Sequence, residues 1–132
     1  MITFDKVTKS YGSAVAVDEL TLEIAEGTLS VFVGPSGCGK TTSMRMINRM
    51  IDPTSGTLTV DGANVATVDP VRLRLGIGYV LQSAGLMPHL KVVDNVATGP
   101  VLKGESRRSA RKKALGVLER VGLDIKLADR YP

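Results

Sequence analysis

Tryptophan is absent from the 132 residues, and aromatic residues together make up only 4% of them. There is one cysteine, Cys38, and one histidine, His89. A lone cysteine has no partner for an internal disulfide, which fits a reducing compartment such as the cytoplasm. No window approaches the ~18 consecutive apolar residues of a membrane span. The start, Met1-Ile2-Thr3-Phe4-Asp5, lacks the profile of a signal peptide. Internal repeats and low-complexity runs are missing as well. Much of the net charge of +4 comes from Arg107, Arg108, Arg111, Lys112 and Lys113 on one predicted helix. No aromatics interleave with those charges, so they read as a solvated helix face and no nucleic-acid partner is expected. With 43% hydrophobic and 23% charged residues, the composition suits a soluble α/β protein of one domain at most.

What is present is a glycine-rich stretch, Gly34-Pro35-Ser36-Gly37-Cys38-Gly39-Lys40-Thr41-Thr42, with the spacing G-x-x-x-x-G-K-[ST] of a phosphate-binding P-loop. Thr28–Val33 before it is apolar and β-branched, as a buried strand would be. Thr42–Met50 after it reads as a helix, so strand, loop and helix come in the order the motif needs. The glycines let the backbone approach a ligand closely. Successive N–H groups then face one concavity, to which the start of the helix near Lys40 adds its positive end. Polyphosphate fits there, with Lys40 on the outer phosphates and the Thr41 hydroxyl on Mg²⁺. Cys38 stands at a variable position of the loop and is given no catalytic role.

Elsewhere the pattern alternates between strands and helices. Ile2–Thr8 reads as a half-buried strand, Tyr11-Gly12 as a turn and Ala14–Ile24 as a second extended stretch. Pro53 closes the first helix, and Thr57–Val60 is a short strand ended by the turn Asp61-Gly62. Asp69-Pro70 looks like the cap and first residue of a brief helix through Leu75. Ile77–Leu81 reads as another strand, followed by a loop from Ser83 to His89 and a helix from about Val92. Ser106–Val121 is a helix capped by Ser106, with Ala110, Ala114, Val117, Leu118 and Val121 on one face. Gly122 occupies its left-handed C-terminal position, with Leu118 and Leu123 placed for the hydrophobic contact that accompanies it.

A P-loop alone hydrolyses nothing; turnover also needs an acidic residue at the end of a second buried strand and a group that positions water. Two apolar runs end in an acid. Ala14–Asp18 precedes the loop and is weakly apolar, and Asp61 is better explained by its turn, so neither is a convincing partner. Gln82 follows a predicted strand and opens a loop, where its amide could reach Mg²⁺ or the attacking water. Tyr11 is an aromatic in an early turn, available to stack on a purine. His89 beside Pro88 reads as a solvated loop residue.

Together these residues resemble the N-terminal half of an ATP-binding subunit of the ABC transporter family. Tyr11 with Ala16-Val17-Asp18 resembles the family's adenine-stacking loop, and Gly34–Thr42 its Walker A loop. Pro53–Thr57 and Val60–Gly62 resemble the link to its β subdomain, and Ile77–Gln82 its Q-loop strand. Leu86–Leu90 with Val93–Val96 resembles the start of its helical subdomain. Within the family, Met44–Arg49 and Asp129–Pro132 are similar to importers of glycine betaine, choline or proline. Met87 stands where a Phe is more usual before Pro-His.

The resemblance implies a P-loop core with an N-terminal antiparallel β subdomain (residues 1–82), cut short within the helical subdomain (83–132). It implies ATP and Mg²⁺ as ligands. Tyr11 would stack on adenine. Gly34, Ser36, Gly37, Cys38, Gly39, Lys40, Thr41 and Thr42 would hold phosphate, and Thr41 and Gln82 would meet the metal. The implied partners are a second ATP-binding subunit, permease subunits reached through Gln82–Leu90, and indirectly a substrate-binding protein, at the inner face of the membrane. The family's LSGGQ signature, Walker B strand, catalytic Glu and switch His would follow Tyr131-Pro132. The chain alone is thus expected to bind nucleotide weakly and not turn it over. Two alternatives stay open: an ABC-type ATPase outside transport, and a non-enzymatic nucleotide-binding module.

Overall fold

Phe4 and Val7, fully buried, anchor the first strand to the core, and the polar residues between them face outward. In the computed structural model, which describes residues 1–81 and 85–132, this strand is β1, Ile2–Tyr11. β2, Ala14–Ile24, returns antiparallel to it, with Tyr11 opposite Ala14 and Ile2 opposite Ile24. β3, Ser55–Val60, pairs with the other edge of β1, and β4, Ala63–Asn64, closes a hairpin on β3. The order is β2-β1-β3-β4. The turn Asp61-Gly62 has φ of 49° and 78°, the two positive values that a two-residue type I′ hairpin requires. β1 bulges near Lys6, and β3 passes close to it. A Cβ on Gly56 would be driven into the Lys6 carbonyl, so only glycine fits there.

Two helices belong to the same unit, Met1–Ile77. α1, Lys40–Ile47, buries Met46 and Ser43. α2, Pro70–Gly76, starts with proline at its first position, and the Asp69 carboxylate accepts from the Arg72 N–H at 2.8 Å. Phe4, Val7, Val17, Met46, Leu58, Val65 and Leu73 form one core. α1 ends three residues sooner than the sequence suggests, because Arg49 takes a left-handed φ of 52°.

Two strand expectations fail. Thr28–Val33 and Ile77–Leu81 are not strands. Their composition favours β structure, but a strand is completed by hydrogen bonds to a neighbour, and no partner strand lies beside them among the described residues.

The second unit, Gly78–Pro132, is helical. α3, Val92–Leu102, packs on α4, Arg107–Arg120, and a short 3-10 turn follows at Ile125–Leu127. Val93, Ala97, Ala110, Ala114, Leu118 and Ala128 make its core. Ser106 caps α4 by accepting from the Ser109 N–H at 3.3 Å. At the other end Gly122, φ 75°, donates to Glu119 while Leu123 donates to Leu118, each at 2.9 Å, which is the Schellman closure. The apolar stripe is narrower than the periodicity implies. Ala110, Ala114 and Leu118 are buried, whereas Val117 and Val121 are exposed at 42% and 64%.

Candidate phosphate-binding site

The glycine loop between Val33 and α1 is shaped by its own backbone. Gly37 and Gly39 have φ of 85° and 87°, and a Cβ on Gly39 would enter the Ala16 carbonyl of β2. β2 therefore fixes how close the loop lies, and only glycine allows that approach. Gly39 is also the N-cap of α1 and offers no side-chain cap. The backbone N–H groups of Gly37, Gly39, Lys40, Thr41 and Thr42 have no hydrogen-bond acceptor among the described residues, while that of Ser43 returns to Gly39 at 2.8 Å. These donors, without acceptors among the described residues and gathered in the loop and first turn of a helix, suit an anion with several oxygens, reinforced by the positive end of the dipole.

Lys40 supplies the charge. Its ammonium donates to the carbonyls of Gly34 and Pro35, both at 2.7 Å, and stands 3.5 Å from the Cys38 sulfur. These acceptors hold the side chain along the loop, and a phosphate must take Lys40 from them. Ser36 and Cys38 are exposed on the loop, and the Thr41 side chain is exposed at the first turn of α1. A cleft of about 590 Å³ adjoins the loop, lined by Ala16, Val17 and Asp18 on one side and by Cys38, Lys40 and Ser43 on another.

Tyr11 closes β1, half exposed, with the Lys9 ammonium 5.0 Å from its ring centroid. It pairs with Ala14, two residues before the Ala16 carbonyl that touches Gly39, so the hairpin end and the phosphate loop are neighbours. Gln82 lies outside the described residues. Of the loop that follows, Met87 to Lys91 is held by Asn95 of α3. Its Oδ1 accepts from the Met87 N–H at 2.7 Å, and its Nδ2 donates to the carbonyls of Met87, Leu90 and Lys91 at 3.0–3.1 Å. His89 is exposed on that loop. Sequence reasoning gave Asn95 no role; its only signal was a polar residue in the first turn of a helix that follows a proline loop. Among the described residues no three His, Cys, Asp or Glu side chains gather as a metal cluster, and no helix is long and apolar enough to cross a membrane.

A glycine loop of this geometry opening a helix, on an α/β fold, defines the class of P-loop nucleotide-binding proteins. Within that class the chain belongs to the ABC transporter family, whose model matches residues 17–131. It is 44% identical over 133 residues to the carnitine transport ATP-binding protein OpuCA of Listeria monocytogenes, covering 100% of this chain and 34% of that protein. It is 43% identical over 133 residues to the choline transport ATP-binding protein OpuBA of Bacillus subtilis, again covering 100% of this chain and 35% of that protein. Among solved structures, the dimeric post-hydrolysis state of the ATP-binding cassette MJ0796 bound to ADP and Pi superposes with a TM-score of 0.88 at 30% identity, covering 100% of this chain and 62% of that one. The chain spans about a third of the length of those two curated relatives.

Proposed function

We propose that this chain forms the nucleotide-binding N-terminal part of an ABC importer subunit, which couples ATP hydrolysis to uptake of a quaternary-amine osmolyte such as glycine betaine. The observation that carries the nucleotide reading is the set of N–H donors of Gly37 and Gly39–Thr42, which have no acceptor among the described residues, with Lys40 on the same loop. In this reading Gly34, Ser36, Gly37, Cys38, Gly39, Lys40, Thr41 and Thr42 cradle the phosphates of ATP. Tyr11 stacks on adenine, and Thr41 with Gln82 meets Mg²⁺, Gln82 also positioning water. The solute follows from the names of the relatives, carnitine and choline transport proteins, and from Met44–Arg49 and Asp129–Pro132.

The domain division proposed is a β layer and P-loop core over residues 1–82 and the start of a helical subdomain over 83–132. In the whole subunit, residues 28–33 and 77–81 take their places in a core sheet completed by strands from elsewhere in the protein. A second copy supplies the other half of each ATP site, and the Gln82–Leu90 region meets the permease at the inner face of the membrane. A substrate-binding protein acts further along the same assembly. The 132 residues by themselves bind nucleotide without turning it over, since among the described residues no catalytic carboxylate ends a buried strand.

Titration of the purified chain with a fluorescent ATP analogue in Mg²⁺ tests the reading. Saturable binding that weakens at least tenfold in Lys40→Ala, with no steady phosphate release, is the expected result. Binding indifferent to Lys40→Ala would overturn the nucleotide site, and sustained hydrolysis abolished by Lys40→Ala would overturn the division of labour.

A further inference from the structure

α1 has only eight residues, a rod of about 12 Å at 1.5 Å per residue, so whatever holds its C-terminal end also sets where its N-terminal donors stand. Two arginines hold that end. The Arg74 side chain of α2 donates through Nε to the Asn48 carbonyl at 3.1 Å and through Nη2 to the Arg49 carbonyl at 2.6 Å. Arg49 reaches the other way: Nη1 donates to the Val68 carbonyl at 2.8 Å, and Nε to the Asp52 carboxylate at 2.9 Å. Val68, just before the Asp69 cap, and Arg74, in the last turn of α2, are thus fastened to the turn after α1 by two guanidinium groups running in opposite directions.

The local chemistry supports a clamp. The Asn48 and Arg49 carbonyls lie at the C-cap of α1 and just beyond it, beside the negative end of the helix dipole, where a cation is favoured. A guanidinium spans two neighbouring carbonyls with one rigid fork, which a lysine ammonium cannot do. The turn it grips is shaped against ordinary preference, with Arg49 at φ 52° and Asn48 almost fully buried. The Asn48 Oδ1 accepts from the Met50 N–H at 3.2 Å, while its buried Nδ2 has no acceptor among the described residues. Such a turn persists only where its surroundings hold it.

We propose that Arg74, paired with Arg49, is a positioning residue of the nucleotide site, holding the phosphate-binding end of α1 in register from the opposite end of the helix. The proposal rests on the nucleotide reading given above. It also ties α1 to α2, the last helix before Gln82 in the chain.

The test compares affinity for a fluorescent ATP analogue in wild type, Arg74→Gln, Arg74→Lys and Leu118→Ala, at a temperature where circular dichroism shows each folded. Leu118 lies in the core of the helical unit and serves as a destabilised control. Arg74→Gln is expected to bind about tenfold more weakly, because α1 loses the bonds that hold its phosphate-binding end in register. Arg74→Lys, which keeps the charge and loses the fork, falls between it and wild type, and Leu118→Ala binds as wild type does. Should Arg74→Gln not fold, Arg74→Lys decides alone. Wild-type affinity in a folded Arg74 variant, or an equal loss in Leu118→Ala, would overturn the positioning role. Absence of binding in wild type would instead overturn the nucleotide reading and this proposal with it.

Discussion

β1 and residues 28–33 are built from the same kinds of residue, yet β1 has a strand on each edge, and 28–33 has none among the described residues. The consequences for the side chains are large. Phe4 and Val7 of β1 are fully buried, whereas Leu29, Val31 and Val33 are exposed at 92%, 72% and 88%. β1 finds its first partner through the tight turn after Tyr11, a short-range pairing that costs little chain entropy. Residues 28–33 run instead into a glycine loop and a helix, and no partner strand lies beside them among the described residues. Two clefts, of about 590 and 430 Å³, share Val31, Phe32 and Lys40 in their linings. An apolar segment open in this way favours association.

Paired substitutions test that contrast most strongly. Phe4→Ala should cost about 3–5 kcal/mol of unfolding free energy and Val33→Thr less than about 0.5, because only the first leaves a cavity in a closed core. Chemical denaturation of both variants would measure this, and similar losses at the two positions would mean that 28–33 is packed after all. A smaller effect is expected where β2 meets the glycine loop that follows residues 28–33. Gly39→Ala forces the loop away from the Ala16 carbonyl, costing about 1–3 kcal/mol and weakening ATP binding by at least about tenfold. A crystal structure of that variant with an unmoved loop would refute it.

The smallest effect concerns the helical unit, with its exposed ion pairs Lys91–Asp129 at 2.9 Å and Lys113–Glu105 at 2.7 Å. The hydrogen bonds from Lys91 and Lys113 hold Asp129 and Glu105 below the usual carboxylate range. Depressed carboxylates stabilise fully above their unfolded values, near pH 4, and lose that contribution as pH falls through the lower folded values. Lys91, raised by its bond to Asp129, stabilises fully below its ordinary value and loses the effect only as pH rises through the raised one. Solvent screening keeps both terms small. Thermal midpoints of wild type and of the double variant Glu105→Gln, Asp129→Asn should converge by a degree or two on acidification from pH 6 to 3. A constant gap would remove the ion pairs from the account.

The sequence carried what short-range chemistry decides. Asp69-Pro70, Asp61-Gly62, Ser106 and Gly122 each specify a cap or turn through their own backbone and side chains, and the structure places all four as read. The glycine loop was legible for the same reason. Residues 28–33 and 77–81 were misread because β propensity reports fit to a pleated surface, and whether such a surface exists depends on residues elsewhere. The Arg49–Arg74 clamp and the Asn95 bracket were invisible because they join residues 25 and 8 positions apart through backbone carbonyls, which leave no mark on residue type. The close approach of the Ala16 carbonyl to Gly39 was not readable, since it depends on where β2 runs.

Hydrogen exchange with and without MgATP, read by mass spectrometry on wild type and Lys40→Ala, tests the nucleotide site most directly. Amides of β1 and β3 should be protected throughout, those of 28–33 should exchange quickly, and peptides covering 34–47 should gain protection with MgATP in wild type alone. Protection by nucleotide that persists in Lys40→Ala, or that appears only outside 34–47, would contradict the account.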